Sequence, residues 1–148
     1  PAGAGDIQKL TGGTNMQVGV VSSDLKLLSQ AKKKTKAEDG LDGVMNRIVE
    51  GIVEACGEAK VKLTDLEAIG LAAPGAVDPG EGVVLEAGNL RWTNTPAAAI
   101  LKKKTGVQVY LDNAVNAAVW GENKLGAGKN AKYLLGVWLG TGIVGWLI

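Results

Sequence analysis

Residues 41–56 read Leu-Asp-Gly-Val-Met-Asn-Arg-Ile-Val-Glu-Gly-Ile-Val-Glu-Ala-Cys, and this stretch decides the fold. Leu41, Val44, Met45, Ile48, Val49, Ile52, Val53 and Cys56 recur at i, i+3, i+4, i+7, i+8, i+11, i+12 and i+15. That spacing lays apolar side chains along one stripe of an amphipathic α-helix. Asn46, Arg47, Glu50 and Glu54 fall on its other face. Asp39 is placed to cap the helix start, and Gly57 lies near its end. Cys56 belongs to the buried stripe, so it reads as core; a reactive thiol needs exposed, electropositive surroundings.

On the N-terminal side, residues 1–6 form a small-residue leader. Ile7 to Leu10 is a short strand, Gly12-Gly13-Thr14 a tight turn, and Met16 to Val21 a strand with period-two alternation. Ser22-Ser23-Asp24 turns into a third strand, Leu25 to Thr35, which completes an antiparallel meander. On the C-terminal side, Ala68 to Ala73 is a continuous apolar run that suits a strand covered on both faces. Asp78 to Gly82 is a turn, and Val83 to Leu85 is a short strand or extended piece. A second helix opens with Thr95 as N-cap and Pro96 as first helical residue, and stops at Gly106. Val107 to Leu111 is a strand. Asn113 caps a third helix running to about Leu125, which Gly126-Ala127-Gly128 stops. Tyr133 to Leu139 and Ile143 to Ile148 close the chain as strands around Gly140-Thr141-Gly142. The order β-β-β-α-β-α-β-α-β-β predicts an α/β fold, a mixed sheet with helices packed on its faces.

Composition removes several chemistries. The 148 residues include no histidine and one cysteine, which excludes a Ser-His-Asp triad, a Cys-His pair, His-ligated zinc and an internal disulfide. Lys and Arg number 16 against 15 Asp and Glu, so the net charge of +1 provides no electrostatic case for nucleic acid or an anionic membrane as partner. No apolar run is long enough to span a bilayer, and the start of the chain lacks a signal-peptide core; with no disulfide, the expected compartment is the cytoplasm. Lys32-Lys33-Lys34 and Lys102-Lys103-Lys104 read as a solvated strand edge and a helix C-terminus. Carboxylates, hydroxyls and backbone amides are left to carry chemistry.

Gly12-Gly13-Thr14 and Gly140-Thr141-Gly142 are candidate phosphate cradles, because glycines let backbone N–H groups converge on an anion. Either alone is more often just a hairpin turn, and neither has Walker or Rossmann spacing. Their order along the chain is more specific. Gly-Gly-Thr between the first two strands is followed by Ala73-Pro74-Gly75-Ala76-Val77-Asp78, then Asn89-Leu90-Arg91-Trp92, then Asn113-Ala114-Val115-Asn116-Ala117-Ala118. Gly126-Ala127-Gly128-Lys129 and Gly140-Thr141-Gly142-Ile143 complete the series. This series resembles the ROK family of bacterial sugar kinases and related repressors, from about Ile7 to Ile148. The resemblance implies an actin-like ATPase lobe of ribonuclease H-like type, with residues 7–130 forming the first lobe and 131–148 the first two strands of a second. It also implies ATP-dependent phosphorylation of a sugar hydroxyl with Mg²⁺. Gly75, Asn89 and Asn113 would face the sugar, and the two glycine turns would hold phosphate.

The chain departs from the family pattern where the chemistry would sit. Leu10 stands in place of the first-strand aspartate and Ala114 in place of the catalytic base. Val144 and Trp146 replace glycines after the second cradle, and Trp138 precedes it. Alanine cannot accept a proton, and the neighbouring Asp112 points elsewhere from a strand end. These five replacements are all apolar, while the helix stripe and caps are intact, and violations gathered in one place mark a functional site. The expectation is therefore a lobe redesigned by engineering, without catalytic residues, metal or cofactor. It would serve as a scaffold or self-associating module, meeting a second copy or a designed protein partner through an apolar former cleft formed by Leu10, Ala114, Trp138, Val144 and Trp146. Packing of Trp138 and Trp146 over the sheet end is the plain structural alternative. A kinase with residual activity and a small-molecule binder using the same cleft remain as further readings.

Overall fold

The apolar stripe folds as expected, and its edges explain how the lobe is assembled. A computed structural model describes residues 15–139 and 143–147; the expected strand at Ile7 to Leu10, Gly12-Gly13-Thr14 and Gly140-Thr141-Gly142 lie outside them. Helix α1 spans Gly40–Ala59. It packs on an antiparallel pair, β1 (Asn15–Val21) and β2 (Leu27–Lys34), in which Val18 faces Ala31 and Asn15 faces Lys34. Val44, Met45, Ile52, Ala55 and Cys56 are buried on the helix, whereas Val53 is 55% exposed. The stripe is thus centred nearer Val44, Ile48 and Ala55 than its large residues suggest. Gly51 allows this, since a Cβ there would lie 2.9 Å from Val18 Cγ2. The helix also runs past Gly57 to an αL cap at Lys60. Asp39 precedes the helix without capping it by side chain; its carboxylate pairs with Arg47 instead.

The alternation after α1 builds a parallel pair. Strand β3 (Ile69–Ala73) runs beside β7 (Val109–Asn113), with Leu71 opposite Leu111 and Ala73 opposite Asn113. Gly70 and Ala72 are exposed, so β3 is open on one face rather than covered on both, despite its apolar composition. Between these strands lies a three-stranded antiparallel sheet that sequence patterning reduced to one short piece: β4 (Ala76–Asp78), β5 (Val83–Ala87) and β6 (Trp92–Thr95). Val84, Ala87, Leu90 and Trp92 carry it into the common core with Met45, Leu101, Val109 and Leu111.

Helix α2 (Ala97–Thr105) starts one residue later than expected. Thr95 is held in the β6 ladder opposite Val84, and its hydroxyl donates to Thr93 O (3.3 Å). Pro96 therefore becomes the cap residue, and the Ala98 N–H finds the Gly82 carbonyl at 3.1 Å. Gly106 ends the helix at φ 75° as expected, with its N–H on Lys102 O (2.8 Å). Helix α3 (Ala114–Leu125) follows β7 directly. The hairpin of β8 (Leu135–Leu139) and β9 (Ile143–Leu147) then packs on α3; Gly136 sits where any Cβ would meet Val119. Each basic run has partners: Lys33 pairs with Glu54, and Lys104 reaches Asn46 Oδ1 (2.9 Å).

Candidate functional site

Parallel strands β3 and β7 end together, and the residues that follow them form the site. β3 leads into Pro74-Gly75, and β7 leads into Asn113-Ala114. Gly75 adopts φ +83°, a region that L side chains rarely enter, and a Cβ there would lie 2.0 Å from the Glu86 carbonyl oxygen. Only glycine lets this turn press on the backbone of β5.

Asn113 joins the two strand ends. Its Oδ1 accepts from Val115 N (2.8 Å) and Asn116 N (3.3 Å), which caps α3. Its Nδ2 donates to the Gly75 carbonyl at 2.6 Å. Asp112 is engaged locally. Its Oδ1 accepts from Asn113 N (2.7 Å) and from Asn116 Nδ2 (3.1 Å), which turns the carboxylate into the strand–helix joint. Ala114, the first residue of α3, is buried.

Beside this joint, the described residues of β1, β3 and α1 line a common space. It brings together Gly75, Asn89, Asn113 and Ala114, with Trp92 in its wall. Asn15 and Gln17 add two amides that sequence reading missed, because strand alternation alone does not mark them as cavity residues. Among the described residues no Asp, Glu, Lys or Arg lines it; the single titratable group is Cys56, whose thiol is pushed up from its ordinary value chiefly by burial and secondarily by Asp65. No cluster of three or more metal-ligating side chains occurs among the described residues. This donor set does not fit Mg²⁺, a hard cation that prefers carboxylate oxygen.

The remaining expected residues lie elsewhere. Leu10, Gly12, Gly13, Thr14, Gly140, Thr141 and Gly142 are outside the described residues. Trp138 and Val144 face each other across the β8–β9 ladder, and Trp146 pairs with Gly136. By register Trp146 shares the hairpin face of Gly136, the face turned to α3. Trp146 is 45% exposed. The opposite face carries Leu135, Val137 and Leu147, all largely exposed. Trp120 on α3 is also exposed, with Lys124 Nζ 5.6 Å from its ring centroid.

An α/β lobe in which two parallel strands end beside a capped helix N-terminus is a ligand-handling architecture. The chain belongs to the ROK family, whose model matches residues 10–147. It is 37% identical to a glucokinase of Thermotoga maritima over 138 residues, which are 93% of this chain and 42% of that protein. Among solved structures it resembles a ROK family glucokinase from Streptomyces griseus, determined with glucose and AMPPNP (TM-score 0.82, 33% identity, 93% of this chain and 42% of that one). It also resembles a ROK hexokinase from Thermus thermophilus (TM-score 0.80, 35% identity, 93% and 44%). The chain therefore spans about two fifths of the length of these relatives, and it shares their actin-like ATPase fold.

Proposed function

We propose that this part of a ROK sugar kinase does not transfer phosphate and acts instead as an interaction module. One observation carries the reading. The cavity at the strand ends has no carboxylate among its described lining residues, and the position following the α3 cap is a buried alanine. A sugar hydroxyl bound there would meet no carboxylate to take its proton among the described lining residues, and general-base help is worth about 10²–10⁴ in rate. Asp112 is engaged on the wrong side, through Asn113 N and Asn116 Nδ2.

The interaction half of the reading is supported by the β8–β9 hairpin. From Tyr133 to Ile148 there is no charged residue, and Leu135, Val137 and Leu147 are exposed on one face. A second copy could meet this face without like-charge repulsion. A coupled assay with ATP, Mg²⁺ and glucose tests the first half: no turnover above background is expected, and turnover would overturn it. Sedimentation tests the second: a concentration-dependent dimer is expected, lost in Val137→Lys. A strict monomer would overturn self-association.

The cavity itself favours a second reading, a small-molecule binder. Four amide side chains, Asn15, Gln17, Asn89 and Asn113, stand on a mostly apolar wall. Titration with glucose and with an apolar dye, read by tryptophan fluorescence, checks it. A saturable change supports a binder, and a flat response removes it.

A further inference from the structure

The β4–β5–β6 sheet forms one wall of the cavity, yet it shares no ladder with β3–β7 among the described residues. Asn89, on the β5–β6 turn, and Trp92, on β6, are its contributions to that wall. What holds this wall against the strand ends is packing plus the turn at Gly75. The Gly75 backbone is pressed on β5 at Glu86, and its carbonyl receives the Asn113 amide across 38 residues of sequence. The same Asn113 side chain caps α3 through its other atom.

We propose that Asn113 is a two-headed positioning residue. Oδ1 builds the N-terminus of α3, and Nδ2 latches the β4–β5–β6 wall of the cavity to β7 through the Gly75 carbonyl. The inference does not depend on the proposed function, since it concerns only how the wall is held. Its two heads are chemically separable. Aspartate is isosteric with asparagine and keeps an acceptor for the helix N–H groups, where a negative charge is favoured. It has no hydrogen to give Gly75, so its second oxygen would face a carbonyl oxygen. Serine also caps a helix but is one atom too short to reach Gly75. Alanine removes both heads.

Hydrogen–deuterium exchange on the full chain reads the two heads apart. In Asn113→Asp, amides of residues 76–95 should exchange about fivefold faster, the loss expected for one hydrogen bond, while those of residues 117–125 stay as in the parent. In Asn113→Ala both segments should speed up. Asn113→Ser repeats the test should the aspartate variant fail to fold. The latch is overturned if either cap-preserving variant leaves residues 76–95 at the parental rate. Equal acceleration of both segments would also overturn it, because that is the mark of global loosening rather than of a latch.

Discussion

Replacing Gly75 with alanine should be among the most damaging single-methyl changes in the described chain, and the damage has two separable parts. The first is conformational. At φ +83° an L residue costs about 1–2 kcal/mol, only partly offset by the smaller entropy of the unfolded alanine chain. The second is steric. The new Cβ would start 2.0 Å from Glu86 O and 3.0 Å from Ala87 Cα, both backbone atoms, so no side chain can swing away. Moving the turn off β5 by about 1 Å adds an overpacking cost of about 1–3 kcal/mol. Gly106 isolates the first part: its φ is +75°, and a Cβ there would meet nothing within 4 Å. Urea unfolding followed by circular dichroism should show Gly106→Ala losing about 1 kcal/mol and Gly75→Ala about 2–5 kcal/mol. Near-equal losses would refute the close approach of the turn to β5, and with it the account of why glycine follows Pro74.

Two further outcomes test the caps and the core. Thr95→Val should cost under about 1 kcal/mol, because the Thr95 hydroxyl only reaches Thr93 O, whereas Asn113→Ala should cost about 1–2 kcal/mol as a true cap; urea midpoints compare them. Cys56 should resist Ellman's reagent at pH 8 in the folded chain and react as one equivalent in denaturant. Burial raises the folded thiol above its ordinary value of 9.0, so the neutral thiol's contribution to stability is intact below that pH and is lost as pH climbs through the folded value. Stability that instead rises with pH above 9.0 would contradict the buried assignment.

Legibility in the sequence follows the range of the interaction. Helix α1 was readable because its stripe repeats over sixteen residues, and Asn113 was readable as a cap because its partners lie two and three residues on. The offset of the stripe toward Ala55 was not. It depends on Gly51 meeting Val18, a contact between residues far apart in the chain. The three-stranded β4–β5–β6 sheet escaped because β4 has only three residues, too few for alternation to show, and because Arg91 in the β5–β6 turn and Asn94 within β6 take positive φ without glycine. Thr95 illustrates a conflict of levels. Local propensity makes it a cap, but pairing with Val84 claims it for a strand, and Gly82 O then serves the helix start in its place.

The site divides in the same manner. Family resemblance pointed to Gly75, Asn89, Asn113 and Ala114, and the fold brings these four to one cavity. It also grouped Leu10, Trp138, Val144 and Trp146 with Ala114 as an apolar surface, and of these Trp146 can be followed on the hairpin by strand register. A residue opposite Gly136 must share the face on which Gly136 meets Val119, so Trp146 belongs to the α3 side. Trp146 is itself partly exposed, and Leu135, Val137 and Leu147, of opposite parity, are more so. Trp146 therefore bears on how the hairpin seats against α3, and Leu135, Val137 and Leu147 offer a second apolar face for association. Trp146→Gly should then alter hairpin packing, seen as faster amide exchange in residues 135–147, while Val137→Lys leaves that exchange unchanged and acts only on association. If Trp146→Gly instead abolished a dimer without touching the exchange, the register argument would fail and the tryptophan itself would be the contact.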